Sequence, residues 1–117
     1  MAKFERQLRA RAADLAEYLS RGIQESGLSV EMVDTSVHRM GGVSIYFTMY
    51  DRYYMRNSSR AALSVLVAGD SDMNTTVTAI SGGGGNGTFL SFSWGAEEDF
   101  IGVVEGLVDR YINGDKK

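Results

Sequence analysis

The sequence predicts an α+β fold: an N-terminal helix, a five-stranded antiparallel meander sheet and a C-terminal helix, with both helices on one sheet face. Three observations predict it. Apolar residues recur at helical spacing at both ends of the chain, the middle changes to a period near two, and the connections there are too short for the helical crossover that parallel strands need. At 117 residues the chain is read as one domain, 1–117, because two halves would each bury too little surface to offset the entropy of ordering the backbone.

The N-terminal helix is read from Phe4 to Ile23. Phe4, Leu8, Leu15, Leu19 and Ile23 share one stripe with Ala12 and Ala16, and Arg6, Arg9, Asp14, Glu17 and Arg21 fall on the other face. The pattern stops at Ser26 and Gly27, where glycine suits a helix end. Strands follow at about Leu28 to Val37, Val43 to Tyr54, Ala61 to Ala68, Asn74 to Ser81 and Thr88 to Ser93, rich in Val, Ile, Thr, Tyr and Phe. Their connections are Met40 to Gly42, Arg56 to Ser59, Gly69 to Asp72 and the glycine run, each of hairpin length. The last helix begins near Ala96. Its apolar stripe is Phe100, Val103, Val104, Leu107 and Tyr111, with Glu97, Glu98 and Asp99 complementing the dipole of the first turn and Asn113 with Gly114 ending it. Gly102 and Gly106 each cost about 1 kcal/mol inside a helix, a cost that close approach of the first helix is expected to offset.

Composition narrows the function. A net charge of −3 removes the electrostatic attraction that supplies most affinity for nucleic acid, so no nucleic-acid partner is expected. The chain has no cysteine, which excludes disulfides, a thiol nucleophile and thiolate metal sites and suits a reducing compartment. MAKFERQLRA lacks the apolar core of a secretory signal and no apolar run is long enough to span a bilayer. The expectation is a cytoplasmic protein without stable membrane insertion.

SGGGGNGT, from Ser81 to Thr88, contains G-x-G-x-x-G at Gly82, Gly84 and Gly87. A dinucleotide site needs a helix directly after the glycines, whereas TFLSFSW reads as a strand and the later helix opens on three carboxylates. A P-loop needs G-K-[ST], and lysine occurs only at positions 3, 116 and 117. The run is read as a hairpin connection, and no cofactor is expected. His38 is the only histidine and no serine sits in G-x-S-x-G, so no triad is predicted. Asp70 and Asp72 lack the rest of a calcium loop and read as a polar turn, and Glu97 to Asp99 read as solvated, leaving no catalytic or metal site.

The strand Val43 to Tyr54 alternates. Val43, Ile45, Phe47 and Met49 take one face and Tyr46, Tyr50 and Tyr54 the other. With the helices expected on the first of these, the tyrosines, Leu66 and Ile80 form an uncharged outer face suited to pairing with a second copy. Arg52, Arg56 and Arg60 gather at one hairpin end as candidate anion ligands, with pairing to Asp51 or stacking on tyrosine as the alternative.

MAKFERQL, YDRYYM, TAISGG and SWGAEEDF together resemble a family of short, uncharacterised bacterial proteins classed as a domain of unknown function. The resemblance covers almost the whole chain and implies a small cytosolic α+β protein, without transferring any site. The expected function is a non-enzymatic, self-associating interaction module that forms a homodimer through the Tyr46, Tyr50, Tyr54 face. The alternative is a protein binding an anionic or apolar small molecule, between sheet and helices or at the Arg52, Arg56, Arg60 hairpin.

Overall fold

The computed structural model describes residues 2–27, 29–54, 59–84 and 96–114. The elements run β1 (Ala2–Arg9), α1 (Ala12–Gln24), β2 (Val30–Met40), β3 (Val43–Tyr54), β4 (Ser59–Gly69), β5 (Asn74–Gly84) and α2 (Ala96–Ile112). The five strands form one sheet in the order β1-β5-β4-β3-β2, antiparallel throughout. The α+β class, the antiparallel sheet of five strands and the two helices packed on it are as the sequence predicts. The order of elements differs at the N-terminus, and the expected strand Thr88 to Ser93 lies outside the described residues.

The stretch expected to form one helix from Phe4 to Ile23 is a strand and a shorter helix. Phe4 and Leu8 are four residues apart, a spacing that a helix and a strand share. The tie is broken by Arg6, which stands on the inward side of β1 and so hides the alternation. Its guanidinium reaches over to Asp109 of α2, 3.0 Å from Oδ1, so a charged residue can occupy a packed position there. β1 then pairs with β5 from Ala2↔Ser81 to Arg9↔Asn74. At its end the Thr75 hydroxyl donates to the Ala10 carbonyl at 2.6 Å and the Ala10 amide donates to the Met73 carbonyl at 3.1 Å, which turns the chain into α1.

Turn chemistry sets the meander. Gly41 and Gly42 have φ of +57° and +83°, the two positive values that a two-residue turn between twisted strands requires. Between β4 and β5 the Asp70 carboxylate accepts from the amides of Asp72 and Asn74 at 2.9 and 3.0 Å and from the Asn74 side chain at 3.1 Å. These bonds hold its pKa below the usual carboxylate range, with Asn74 the leading cause. Asp70 is therefore occupied by its own turn.

Both helices lie on one face, α1 towards β3 and β4 and α2 over β4, β5 and β1. Leu15, Leu19 and Ile23 of α1 and Phe100, Val104 and Val108 of α2 are almost fully buried on Leu63, Val65 and Val67 of β4 and Val77 and Ala79 of β5. Burial of each large apolar side chain contributes about 1.5–3 kcal/mol, and this face is where the fold is held. The helices meet at Gly22, where a Cβ would come 2.5 Å from Leu107 Cδ2. The close approach expected at Gly102 and Gly106 is thus made at a different glycine. A Cβ at Gly102 would meet nothing within 4 Å.

Candidate functional site

The strand register decides which face is left open. Tyr50 pairs with Leu63, Tyr46 with Val67 and Thr48 with Val65, so the even positions of β3 share the side of the buried β4 residues. The helices therefore cover the tyrosine side of β3 and leave its odd side outward, the reverse of the expected assignment. The reason is that β3 is apolar on both faces. Tyr46 is half-buried on that side, and Tyr50, 1% exposed, has its hydroxyl between Ser20 and Thr48. Burial raises the pKa of that hydroxyl above its ordinary value, while the two hydrogen bonds oppose the rise.

Across the open face the register lines residues up in rows. One row is Lys3, Ile80, Ser64, Met49 and Asp34; the next is Glu5, Thr78, Leu66, Phe47 and Ser36; the third is Gln7, Thr76, Ala68, Ile45 and His38. The three inner strands contribute no charge to these rows, and every charge stands on the outer strands β1 and β2. Phe47, Met49 and Ile80 are 41%, 37% and 41% exposed, and Leu66 and Ile45 are half-buried. Beyond the rows, Arg60 closes one end of the patch by pairing with Asp51 at 2.8 Å and lying over the Tyr53 ring at 5.6 Å. Among the described residues, nothing packs over the patch.

The two sheet edges are built differently. β1 presents Lys3, Glu5, Arg6 and Arg9 along its length, and β2 carries Glu31, Asp34 and Arg39 with an irregularity between Met32 and Asp34. Charges and bulges of this kind block strand-to-strand addition. β1 is guarded along its length, whereas β2 leaves Val33, Val37 and Met40 exposed and is guarded by its three charges and its irregularity.

A family model of unknown function, DUF6054, matches residues 1–112. The chain belongs to DUF6054. The match spans all seven elements, and its description assigns no residue a role. No curated protein and no solved structure matches the chain.

In this DUF6054 member the residues expected to form one interface are divided. Leu66 and Ile80 stand on the open face, whereas Tyr46 and Tyr50 lie under α1, and Tyr54 pairs with Ser59 at the end of β3. Phe47, Met49 and Ile45 are the open-face residues that sequence reasoning placed on the wrong side. The signal that could have found them is β4, whose Leu63, Val65 and Val67 make one face far more apolar than the other. The arginines also separate. Arg52 is on the helix-covered side beside Gly27, where a Cβ would come 2.9 Å from its Nη2, Arg60 is on the open side, and Arg56 lies outside the described residues. The described part of the hairpin thus brings no two arginines together.

Gly82, Gly83 and Gly84 belong to β5, opposite Ala62, Ala61 and Arg60, so the start of the glycine motif is strand; its remainder lies outside the described residues. Among the described residues no three His, Asp or Glu side chains converge as metal ligands, and no helix is long and apolar enough to cross a membrane. A groove of about 480 Å³ lies between the two helices, lined by Tyr18, Arg21, Gly22, Gly102, Gly106 and Arg110 among others. The room left by Gly102 and Gly106 therefore opens between helices rather than between helices and sheet.

Proposed function

We propose that this protein is a non-enzymatic, self-associating interaction module and that two copies meet through the open sheet face. The observation that carries this reading is the uncharged patch of Ile45, Phe47, Met49, Leu66 and Ile80, bordered by charges on the outermost strands and, at one end, by the Arg60–Asp51 pair. Water-facing sheets ordinarily place charged residues at such positions, and a solvent role gives no reason for an aromatic and a methionine there. Size supports the same reading. Five strands spaced about 4.8 Å apart and running about 27 Å make a face of roughly 650 Å² in projection, close to the roughly 800 Å² per partner of a standard interface. The blunted edges favour pairing by faces over pairing by strand addition. We place the protein in the cytoplasm, supported by its cysteine-free composition.

A second reading is a small-molecule binding protein, favoured by the groove between α1 and α2. Arg21 and Arg110 flank it beside Tyr18, a combination suited to an anionic ligand with an apolar part. Arg21 is already paired with Glu17 at 2.8 Å, which leaves Arg110 as its stronger anchor.

Native mass spectrometry of the purified protein separates the two readings. A dimer at twice the chain mass, with no added mass, is the expected result. A monomer that carries a reproducible adduct overturns self-association in favour of the groove.

A further inference from the structure

We infer that the two copies are related by a twofold axis parallel to the strands and passing over β4, which sets Lys3 of each copy against Asp34 of the other. This rests on the self-association proposed above and adds its geometry. β4 is the middle strand of five. A twofold axis along it reverses the strand order of the second copy and keeps each row at its own height. β4 then faces β4, β5 faces β3, and β1 faces β2.

Shape and charge both select this axis. In the row of Leu66, Phe47 of one copy comes over Thr78 of the other; in the next row, Met49 comes over Ile80; in the third, Ile45 comes over Thr76. In two of the three rows a larger side chain of β3 thus meets a smaller one of β5, and in the other Met49 meets Ile80 of like size, each contact made twice over by symmetry, so that the faces interdigitate as packed sheets must. An axis across the strands would instead put β3 on β3 and β5 on β5, setting Phe47 against Phe47 and leaving a gap over the threonines. At the margins the chosen axis brings Lys3 of β1 over Asp34 of β2, which occupy the two ends of one row. Among the described residues, each has only local partners within its own copy. Lys3 Nζ is 3.7 Å from Glu5 in an exposed pair, and Asp34 accepts from the neighbouring Thr35 amide at 2.8 Å. Glu5, itself bonded to Thr78 at 3.0 Å, faces the uncharged Ser36. The long lysine stem spans the angle of about 30° that twist introduces between packed sheets.

The test is a charge-reversal pair, Lys3→Glu and Asp34→Lys, each purified and then mixed in equal amounts, with subunit composition read by native mass spectrometry. Both sites are exposed, and circular dichroism checks that each variant keeps its fold. Each variant alone is expected to self-associate about tenfold more weakly than the natural chain, because two like-charge contacts replace two opposite ones. In the mixture both contacts regain opposite charges, so about nine-tenths of the dimer should be heterodimer, against the half that random pairing gives. A random mixture from a natural chain that is dimeric, and that Phe47→Glu dissociates, overturns the axis and leaves the face intact. A natural chain that stays monomeric at high concentration overturns the underlying reading itself.

Discussion

Tyr50 and Phe47 lie three residues apart in β3 and on opposite faces of the sheet. Tyr50 is 1% exposed beneath α1 and Phe47 is 41% exposed on the open side. The covered face has two helices, apolar residues from all seven elements and a hydroxyl with partners of its own. The open face has aromatic and aliphatic side chains of similar kind and nothing over them among the described residues. Burial, not composition, distinguishes the two. A sheet apolar on both sides needs a second layer, and helices supply one for only one side.

The sharpest way to break the comparison is to delete one phenyl ring from each side. Phe100→Ala removes a fully buried ring over the sheet and should lower stability by about 3–5 kcal/mol. Phe47→Ala, measured at a protein concentration too low for association, should change it by less than about 0.5 kcal/mol. Urea unfolding of the two variants checks this, and comparable losses would mean that the open face is part of the monomer's core.

A smaller effect sharpens the account of the covered side. Gly22→Ala directs a methyl group into Leu107, and the helix pair should lose about 1–3 kcal/mol as the leucine shifts. Gly102→Ala meets nothing and should gain up to about 1 kcal/mol from better helix propensity. Thermal unfolding of both reads the signs. Destabilisation by both would place the helix contact at Gly102 as well.

The sequence made the helical stripe of α2, the hairpin turns and four strands legible because each depends on local chemistry: the spacing of Phe100, Val104 and Leu107, the positive φ of Gly41 and Gly42, and the side-chain bonds of Asp70. What depends on distant partners stayed hidden. Arg6 made β1 look helical, since nothing local announces Asp109, more than a hundred residues away. The phase of β3 was misjudged for the same reason. Its own alternation is ambiguous, and only the pairing with Leu63, Val65 and Val67 of β4 decides which side faces the helices. The candidate interface followed that phase, so Leu66 and Ile80 were identified while Phe47 and Met49 changed places with Tyr46 and Tyr50.

The most direct test of self-association through the open face is sedimentation velocity over a wide concentration range on three proteins: the natural chain, Phe47→Glu on the open face, and Val37→Glu on exposed β2 at the sheet edge, where the side chain is 62% exposed. The account predicts a dimer for the natural chain and for Val37→Glu and a monomer for Phe47→Glu. A Phe47→Glu protein that still sediments as a dimer, or a Val37→Glu protein that does not, would contradict it.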